Sequence, residues 1–171
     1  MNKQWNNGAW RSNNRWRQLP LVAILALALV VMGANAASAA APSVPFKDRV
    51  SGTLAGGPTT FTLAGTGNAS HLGKISYAGD VLITSGTVGT TDITDILTET
   101  LTAANGDTLT LLCNQTATLS GGVYHGTDSW TVIGGTGRFS GATGSGTGET
   151  YVYLSSLTFT KTSTGAITVG N

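Results

Sequence analysis

The 171-residue chain has little charge and one cysteine, and each shortage excludes a class of protein. Asp, Glu, Lys and Arg together make up only 10% of the residues, against about 25% in an average globular protein. The sequence has no basic patch with interleaved aromatic residues, which argues against a nucleic-acid partner. Cys113 has no second cysteine to pair with, which excludes an intrachain disulfide and a thiolate zinc site. We therefore predict a fold that needs no disulfide, no metal and no cofactor.

Helical periodicity and the common catalytic motifs are missing as well. No stretch has a long 3.6-residue apolar period, so long helices are not expected. The Gly-x-Ser-x-Gly signature of an α/β-hydrolase does not occur. The glycines of 67–74 and 134–148 lack the spacing of a phosphate-binding or dinucleotide-binding loop. We therefore assign no catalytic residue from the sequence.

The first forty residues have the composition of a secretory signal peptide. Residues 1–18 are polar and basic, an uninterrupted apolar run covers 21–32, and small residues follow over 33–41. This order of regions is typical of an exported precursor, and Ala37-Ser38-Ala39 is the preferred cleavage site, with Ala34-Asn35-Ala36 second. We predict a signal peptide over 1–39 and export to the periplasm, the cell surface or the medium, with no membrane contact after cleavage. An uncleaved membrane anchor is the alternative.

Export has a direct test. The intact mass of protein recovered outside the cytoplasm is expected to correspond to a chain that begins near Ala40, because cleavage after the small residues removes the apolar run. A full-length product that stays in the cytoplasm would contradict the prediction.

Residues 47–171 are expected to form one β-barrel domain, preceded by a short flexible lead over 40–46. Short β-branched segments alternate with glycine-bearing turns, and 108–111 alternates Thr with Leu as a half-buried strand does. Asn105-Gly106 and Gly79-Asp80 are interpreted as hairpin turns. About nine such segments favour a closed barrel over a sandwich, because closure leaves no exposed sheet edge.

The glycine-rich stretch 134–148 is expected to form a turn that closes the barrel. Phe139 is its only large apolar residue, so we expect the ring to point inward and hold the flanking strands in register. Arg138 is within reach of a carboxylate in such a turn. Gly137 and Gly141 permit a positive φ in such a turn, because glycine adopts this conformation without steric cost.

The same stretch resembles a known family. Gly134-Gly135-Thr136-Gly137, Phe139, Ala142 and Gly144 are similar to the motif near the end of plant dirigent proteins, which share an eight-stranded antiparallel calycin-like barrel with the allene oxide cyclases. Together with 69–74 and 103–107, the motif resembles a group of uncharacterised exported bacterial proteins assigned to that barrel class. The resemblance spans about 46–161 and implies an all-β fold with an antiparallel, eight-stranded, calycin-like β-barrel.

Five side chains are candidates for a ligand site: His71, Tyr77, Trp130, Glu149 and Tyr151. A hollow barrel lined by Tyr77, Trp130 and Tyr151 would favour ligand binding. A hollow barrel that holds His71 or Glu149 would favour chemistry, because either side chain can move a proton.

Other polar residues have simpler interpretations. Asp80, Asp107 and Asp128 adjoin Gly or Thr and are expected to form turns. Cys113 follows two leucines and is expected to be a small buried apolar residue.

These patterns leave three functions open. The first is a non-catalytic exported barrel that binds a small apolar or amphipathic ligand, or serves as an envelope or extracellular module. The second is a cofactor-free cyclase or isomerase, or a dirigent-like stereochemical guide. The third is a surface or assembly protein that forms a homo-oligomer, because the Gly- and Thr-rich sequence predicts a weakly charged exterior.

Overall fold

Eight antiparallel strands close into a β-barrel in a computed structural model that describes residues 42–169. Each strand pairs with the next along the chain, and the last pairs with the first. The strands are β1 (Ser43–Gly56), β2 (Thr60–Ala69), β3 (Gly73–Ser85), β4 (Ile93–Ala103), β5 (Thr108–Ser120), β6 (Val123–Gly135), β7 (Gly144–Tyr153) and β8 (Thr158–Thr168). The predicted all-β, antiparallel, eight-stranded barrel is thereby confirmed, whereas the signal peptide predicted over 1–39 lies outside the described residues.

The barrel begins earlier than the sequence predicts. β1 starts at Ser43, which pairs with Thr168 of β8, so 43–46 is strand and the flexible lead predicted over 40–46 was wrong there. Val44 and Phe46 alternate with Pro45 and Lys47, and Phe46 is fully buried. This alternation places the two apolar side chains on the inner face.

One predicted hairpin turn is also wrong. Gly79 and Asp80 lie within β3, which is a single strand of 13 residues. Gly79 faces the interior, where an added Cβ would lie 2.9 Å from the Leu97 side chain and 3.3 Å from the Tyr77 hydroxyl. The glycine therefore provides room for neighbouring side chains instead of bending the chain.

One end of the barrel is filled by large side chains, and we call it the plugged half. The rings of Phe46 and Trp130 meet edge to face with centroids 5.4 Å apart, a favourable arrangement for two aromatic rings. Gly146 and Gly165 lie against the indole of Trp130, where an added Cβ would overlap the ring. The absence of side chains on β7 and β8 at these positions makes the room for this tryptophan.

The middle of the glycine-rich stretch closes the plugged half as predicted, whereas 134–135 belong to β6 and 144–148 to β7. A 3₁₀ turn over Gly137–Phe139 separates β6 from β7, and Phe139 is fully buried in the core. Gly137 has a φ of 57° and Gly141 a φ of 72°, the left-handed conformation that glycine permits at these positions. Arg138 Nε lies 3.7 Å from Asp107 Oδ2 in the neighbouring turn.

The helical content of residues 42–169 is confined to this turn. None of the described residues forms a helix of the length and hydropathy needed to cross a membrane.

Candidate ligand-binding cavity

The other end of the barrel, which we call the cavity half, encloses a cavity of ≈ 120 Å³. Its walls are mostly apolar side chains at alternate, inward-facing positions of the strands, among them Leu54, Leu63, Leu97, Ala117, Val152 and Phe159. An eight-stranded barrel has just enough interior to be filled by side chains or to hold one small ligand. Large side chains fill the plugged half, whereas small ones such as Ala117 and Gly126 leave space in the cavity half.

The loop between β3 and β4 is fastened over this end of the barrel. The hydroxyl of Tyr124, on β6, accepts a hydrogen bond from the backbone N–H of Gly89 (2.9 Å) and donates one to the carbonyl of Thr91 (2.8 Å). Val88 in the same loop lines the cavity, as does Leu157 in the turn between β7 and β8. Leu157 is 51% exposed, so the cavity reaches towards solvent at this side.

A layer of buried ionisable side chains lies between the two halves. We call it the charged layer; it consists of Asp48, Asp95, Glu99, Asp128 and Lys161, each at most 8% exposed. Lys161 Nζ lies 3.0 Å from Glu99 Oε2 and 3.4 Å from Asp128 Oδ2. The described part of the barrel interior therefore contains four carboxyl groups and one ammonium group, which contacts two of them.

Two further side chains complete the contacts around Glu99. The Tyr77 hydroxyl donates a 2.7 Å hydrogen bond to Glu99 Oε2, and the Cys113 thiol lies 3.4 Å from Glu99 Oε1. Lys161 Nζ is also 3.3 Å from Cys113 Sγ. Glu99 thus has more polar partners than the other carboxyl groups of the layer. A buried charge is tolerated only where such partners are present.

Burial controls the protonation of the other carboxyl groups. It raises the pKa of Asp48 to about 6, with the charge of Glu99 acting in the same direction. Burial likewise raises the pKa of Asp95 to about 7, and it raises the pKa of Asp128 above its usual value. Desolvation disfavours the charged form of an acid, so part of this layer is protonated near neutral pH.

The pKa values of the basic and weakly acidic groups are raised too. Burial lowers the pKa of Lys161, but Glu99, Cys113 and Asp128 raise it more strongly, and the net pKa lies above the usual range. Burial, followed by the charge of Glu99, raises the pKa values of Tyr77 and Cys113. Lys161 is therefore a cation, and Cys113 a neutral thiol, at physiological pH.

The floor of the cavity is polar. Asp95, Gln115, Thr150 and Lys161 line it. Asp95 Oδ1, Gln115 Nε2 and Thr150 Oγ1 are buried and have no hydrogen-bond partner among the described residues. Since buried polar groups are nearly always paired in folded proteins, these three atoms are a favourable place for the polar group of a ligand.

Of the five predicted site residues, only Tyr77 lines the cavity. Trp130 is buried in the plugged half, where its indole N–H donates to the Thr147 carbonyl (3.2 Å). Glu149 and Tyr151 are exposed on the outer face of β7, and Tyr151 stacks on His125 with ring centroids 4.6 Å apart. Thr150 takes the inward position between them, and the two-residue period of a strand then turns both neighbours outward.

His71 does not line the cavity and lies in the turn between β2 and β3. Its φ is 65°, and its Nε2 is 3.0 Å from the Pro45 carbonyl oxygen. The two candidates that would favour chemistry in a hollow barrel, His71 and Glu149, are therefore both on the exterior. Neither side chain lies inside the barrel.

The sequence analysis missed most of the charged layer. Asp128 was predicted to form a turn, but it lies within β6 on the same face as Tyr124 and Trp130. Lys161 shares the inner face of β8 with Phe159 and Ser163. A charged residue in phase with the apolar residues of a strand is the signal that identifies such positions. Cys113 is buried as predicted.

The carboxyl groups are not arranged as a metal centre. Among residues 42–169, no group of three His, Cys, Asp or Glu side chains has an arrangement that could hold a metal ion. The polar contacts of the layer are instead made to Lys161, Tyr77 and Cys113.

Comparisons with known proteins find a similar solved structure. No protein-family model matches the chain, and no curated protein matches it significantly. Among solved structures, the chain is similar to the pterocarpan synthase dirigent protein GePTS1, with 14% identity and a TM-score of 0.44 over 75% of this chain and 91% of that chain. The eight-stranded barrel described above is established by the strand pairing of this chain itself.

Proposed function

We propose that this domain binds a small, mostly apolar ligand of about the size of one substituted six-membered ring. The observation that supports the proposal is the cavity of ≈ 120 Å³ with apolar walls and a floor that carries unpartnered polar atoms. An apolar cavity of about 150 Å³ is large enough to hold benzene. The cavity described here is somewhat smaller, but it reaches towards solvent beside Leu157, so a ring with one substituent can extend in that direction. Ligand sites are typically apolar with a few convergent polar groups, which is the composition found here.

Because the floor of the cavity is polar, the polar group of the ligand would enter first and the ring would follow it. Asp95, Gln115 and Thr150 would make hydrogen bonds to that group, while Leu63, Leu97 and other wall residues would surround the ring. Because the N-terminal sequence predicts export, we propose that the barrel holds its ligand outside the cytoplasm. We propose that the domain binds this ligand without converting it chemically.

The test is a cavity-filling substitution with a matched surface control. Benzyl alcohol is expected to bind the wild-type domain at one site per chain, measured by calorimetry or by ligand-observed NMR. Ala117→Phe places a ring in the cavity, because Ala117 lines it, and is expected to abolish binding. Ala78→Phe adds the same ring at an exposed position of β3 and is expected to leave binding unchanged.

Two results would contradict the proposal. One is a wild-type domain that binds neither benzyl alcohol nor benzylamine at millimolar concentration. The other is an Ala117→Phe variant that is folded by circular dichroism and binds as well as the wild type.

A further inference from the structure

We infer that the polar group of the ligand is a cation, so the preferred ligand is a hydrophobic amine whose ammonium group contacts Asp95. The inference rests on the proposed function, since it names the ligand class for the same cavity. It is carried by the geometry of the cavity floor and by the charges of the groups around it.

Lys161 does not neutralise the charged layer. Its ammonium group contacts Glu99 at 3.0 Å and Asp128 at 3.4 Å, and Cys113 Sγ lies 3.3 Å from Nζ. Asp48 and Asp95 form no ion pair among the described residues, so the buried interior has more acid groups than cations. A buried carboxylate without a partner is strongly disfavoured, and a bound cation would remove that penalty.

Asp95 is the carboxyl group that a ligand can reach. Its side chain lines the cavity, is 4% exposed, and leaves Oδ1 without a hydrogen-bond partner. Thr150 Oγ1, also buried and unpartnered, lines the same floor and can accept a second N–H. An ammonium group at this place would make a charge-assisted hydrogen bond, which is about twice as strong as a neutral one.

The apolar walls of the cavity favour a ligand whose remaining part is hydrophobic. Above Asp95 the cavity is lined by apolar side chains that include Leu97, Ala117 and Val152, and these would exclude a hydrated inorganic cation. A ligand with a carboxylate group would add a negative charge beside Asp95, which is unfavourable in a buried site. Lys161 lies on the same floor, but its ammonium group already contacts Glu99 and Asp128. A neutral alcohol would fit the walls but would leave the acid groups uncompensated.

The state of Asp95 makes the binding dependent on pH. Burial has the largest effect on the pKa of Asp95, and the charges that act on it are those of Lys161 on β8, which lowers the pKa, and Asp128 on β6, which raises it. The other buried titratable groups of the interior are Glu99 on its own strand, Cys113 on β5, Tyr77 on β3, Tyr124 on β6 and Asp48 on β1. Burial raises the pKa of Asp95 to about 7, so the carboxylate that attracts a cation is abundant at pH 8 and scarce at pH 5.5. An aliphatic amine stays protonated throughout this range.

The experiment compares three probes of one shape on the full domain: benzylamine, benzyl alcohol and benzoate. At pH 8, benzylamine is expected to bind at least about tenfold more tightly than benzyl alcohol, and benzoate is expected not to bind. Between pH 8 and pH 5.5, the affinity for benzylamine is expected to fall by about tenfold or more. The affinity for benzyl alcohol is expected to fall less.

Two variants assign the preference to Asp95. Asp95→Asn is nearly isosteric and is expected to reduce the ratio of the amine affinity to the alcohol affinity to near one. Glu149→Gln removes a carboxylate from the outer face and is expected to leave the ratio unchanged. If Asp95→Asn does not fold, the pH comparison on the wild type gives the decision.

Each contrary result overturns a different statement. Benzylamine that binds no more tightly than benzyl alcohol at pH 8, or an unchanged ratio in a folded Asp95→Asn variant, overturns the cation inference. If benzyl alcohol still binds in that case and Ala117→Phe abolishes its binding, the proposed function stands. If none of the three probes binds, both are overturned.

Discussion

Lys161→Met is expected to lower the free energy of unfolding at pH 8 by about 3–5 kcal/mol, the usual cost of removing one partner of a buried ion pair. The side chain is 1% exposed, and its ammonium group contacts Glu99 and Asp128. Methionine fills a similar volume, so the loss would come mainly from carboxylates left without a cation.

The loss of unfolding free energy is expected to be smaller at low pH. The direction of this pH dependence follows from the raised pKa values of the buried acids in the wild type. Burial raises the pKa of Asp48 to about 6 and that of Asp95 to about 7, from 3.8. The folded state then binds more protons than the unfolded state between about pH 4 and pH 7, so stability falls as pH rises through this window. Each group contributes at most about 1.4 kcal/mol per pH unit.

Removal of the cation makes the remaining carboxylates harder to ionise. The free energy of unfolding of the variant is therefore expected to depend on pH more steeply than that of the wild type. Urea unfolding at pH 8 and pH 5 measures both effects. Lys74→Met, at an exposed position of β3, is the control and is expected to change the free energy of unfolding by less than about 0.5 kcal/mol. A loss of that small size for Lys161→Met, or the same loss at both pH values, would refute the role given to the charged layer.

Phe139→Ala is expected to cost about 3–5 kcal/mol, through lost burial and a residual cavity. Phe139 is fully buried in the main core cluster, where it fills the end of the plugged half. A typical domain has a stability of about 5–15 kcal/mol, so the variant would be close to unfolding. Urea denaturation of wild type and variant gives the difference.

Arg138→Ala is the matched control for Phe139→Ala. The guanidinium group lies 5.2 Å from the Phe139 ring centroid and forms an exposed ion pair with Asp107. Exposed ion pairs contribute about 0–1 kcal/mol, so we expect a small loss. A loss below about 0.5 kcal/mol for Phe139→Ala itself would show that the turn is not an anchor.

The fold was predictable because its signals are local. The alternation of Thr with Leu over 108–111 and the Asn105-Gly106 turn identify strands and a hairpin without knowledge of their neighbours. Phe139 could be placed in the core because it is the only large apolar residue among seven glycines of its stretch. These features follow from backbone preference and from side-chain period.

The site was not predictable in the same way, because it depends on contacts across the barrel. Glu149 and Thr150 are adjacent in sequence, and only the phase of β7 determines which of the two faces inward. Asp128 beside Thr127 has the sequence pattern of a turn, and only the pairing with β5 and β7 places it in the middle of a strand. The cavity arises from the side-chain volumes of several strands together, as at Ala117, Gly126 and Val152.

The central claim is that one half of this barrel is hollow and apolar while the other half is filled. Diffraction from crystals held under xenon pressure tests it most directly, because xenon enters empty apolar cavities. We predict xenon density against Leu97, Ala117 and Val152, and none beside Phe46, Trp130 and Phe139, whose rings fill the plugged half. Crystals without xenon in the cavity half, or with xenon between Trp130 and Phe139, would contradict the account.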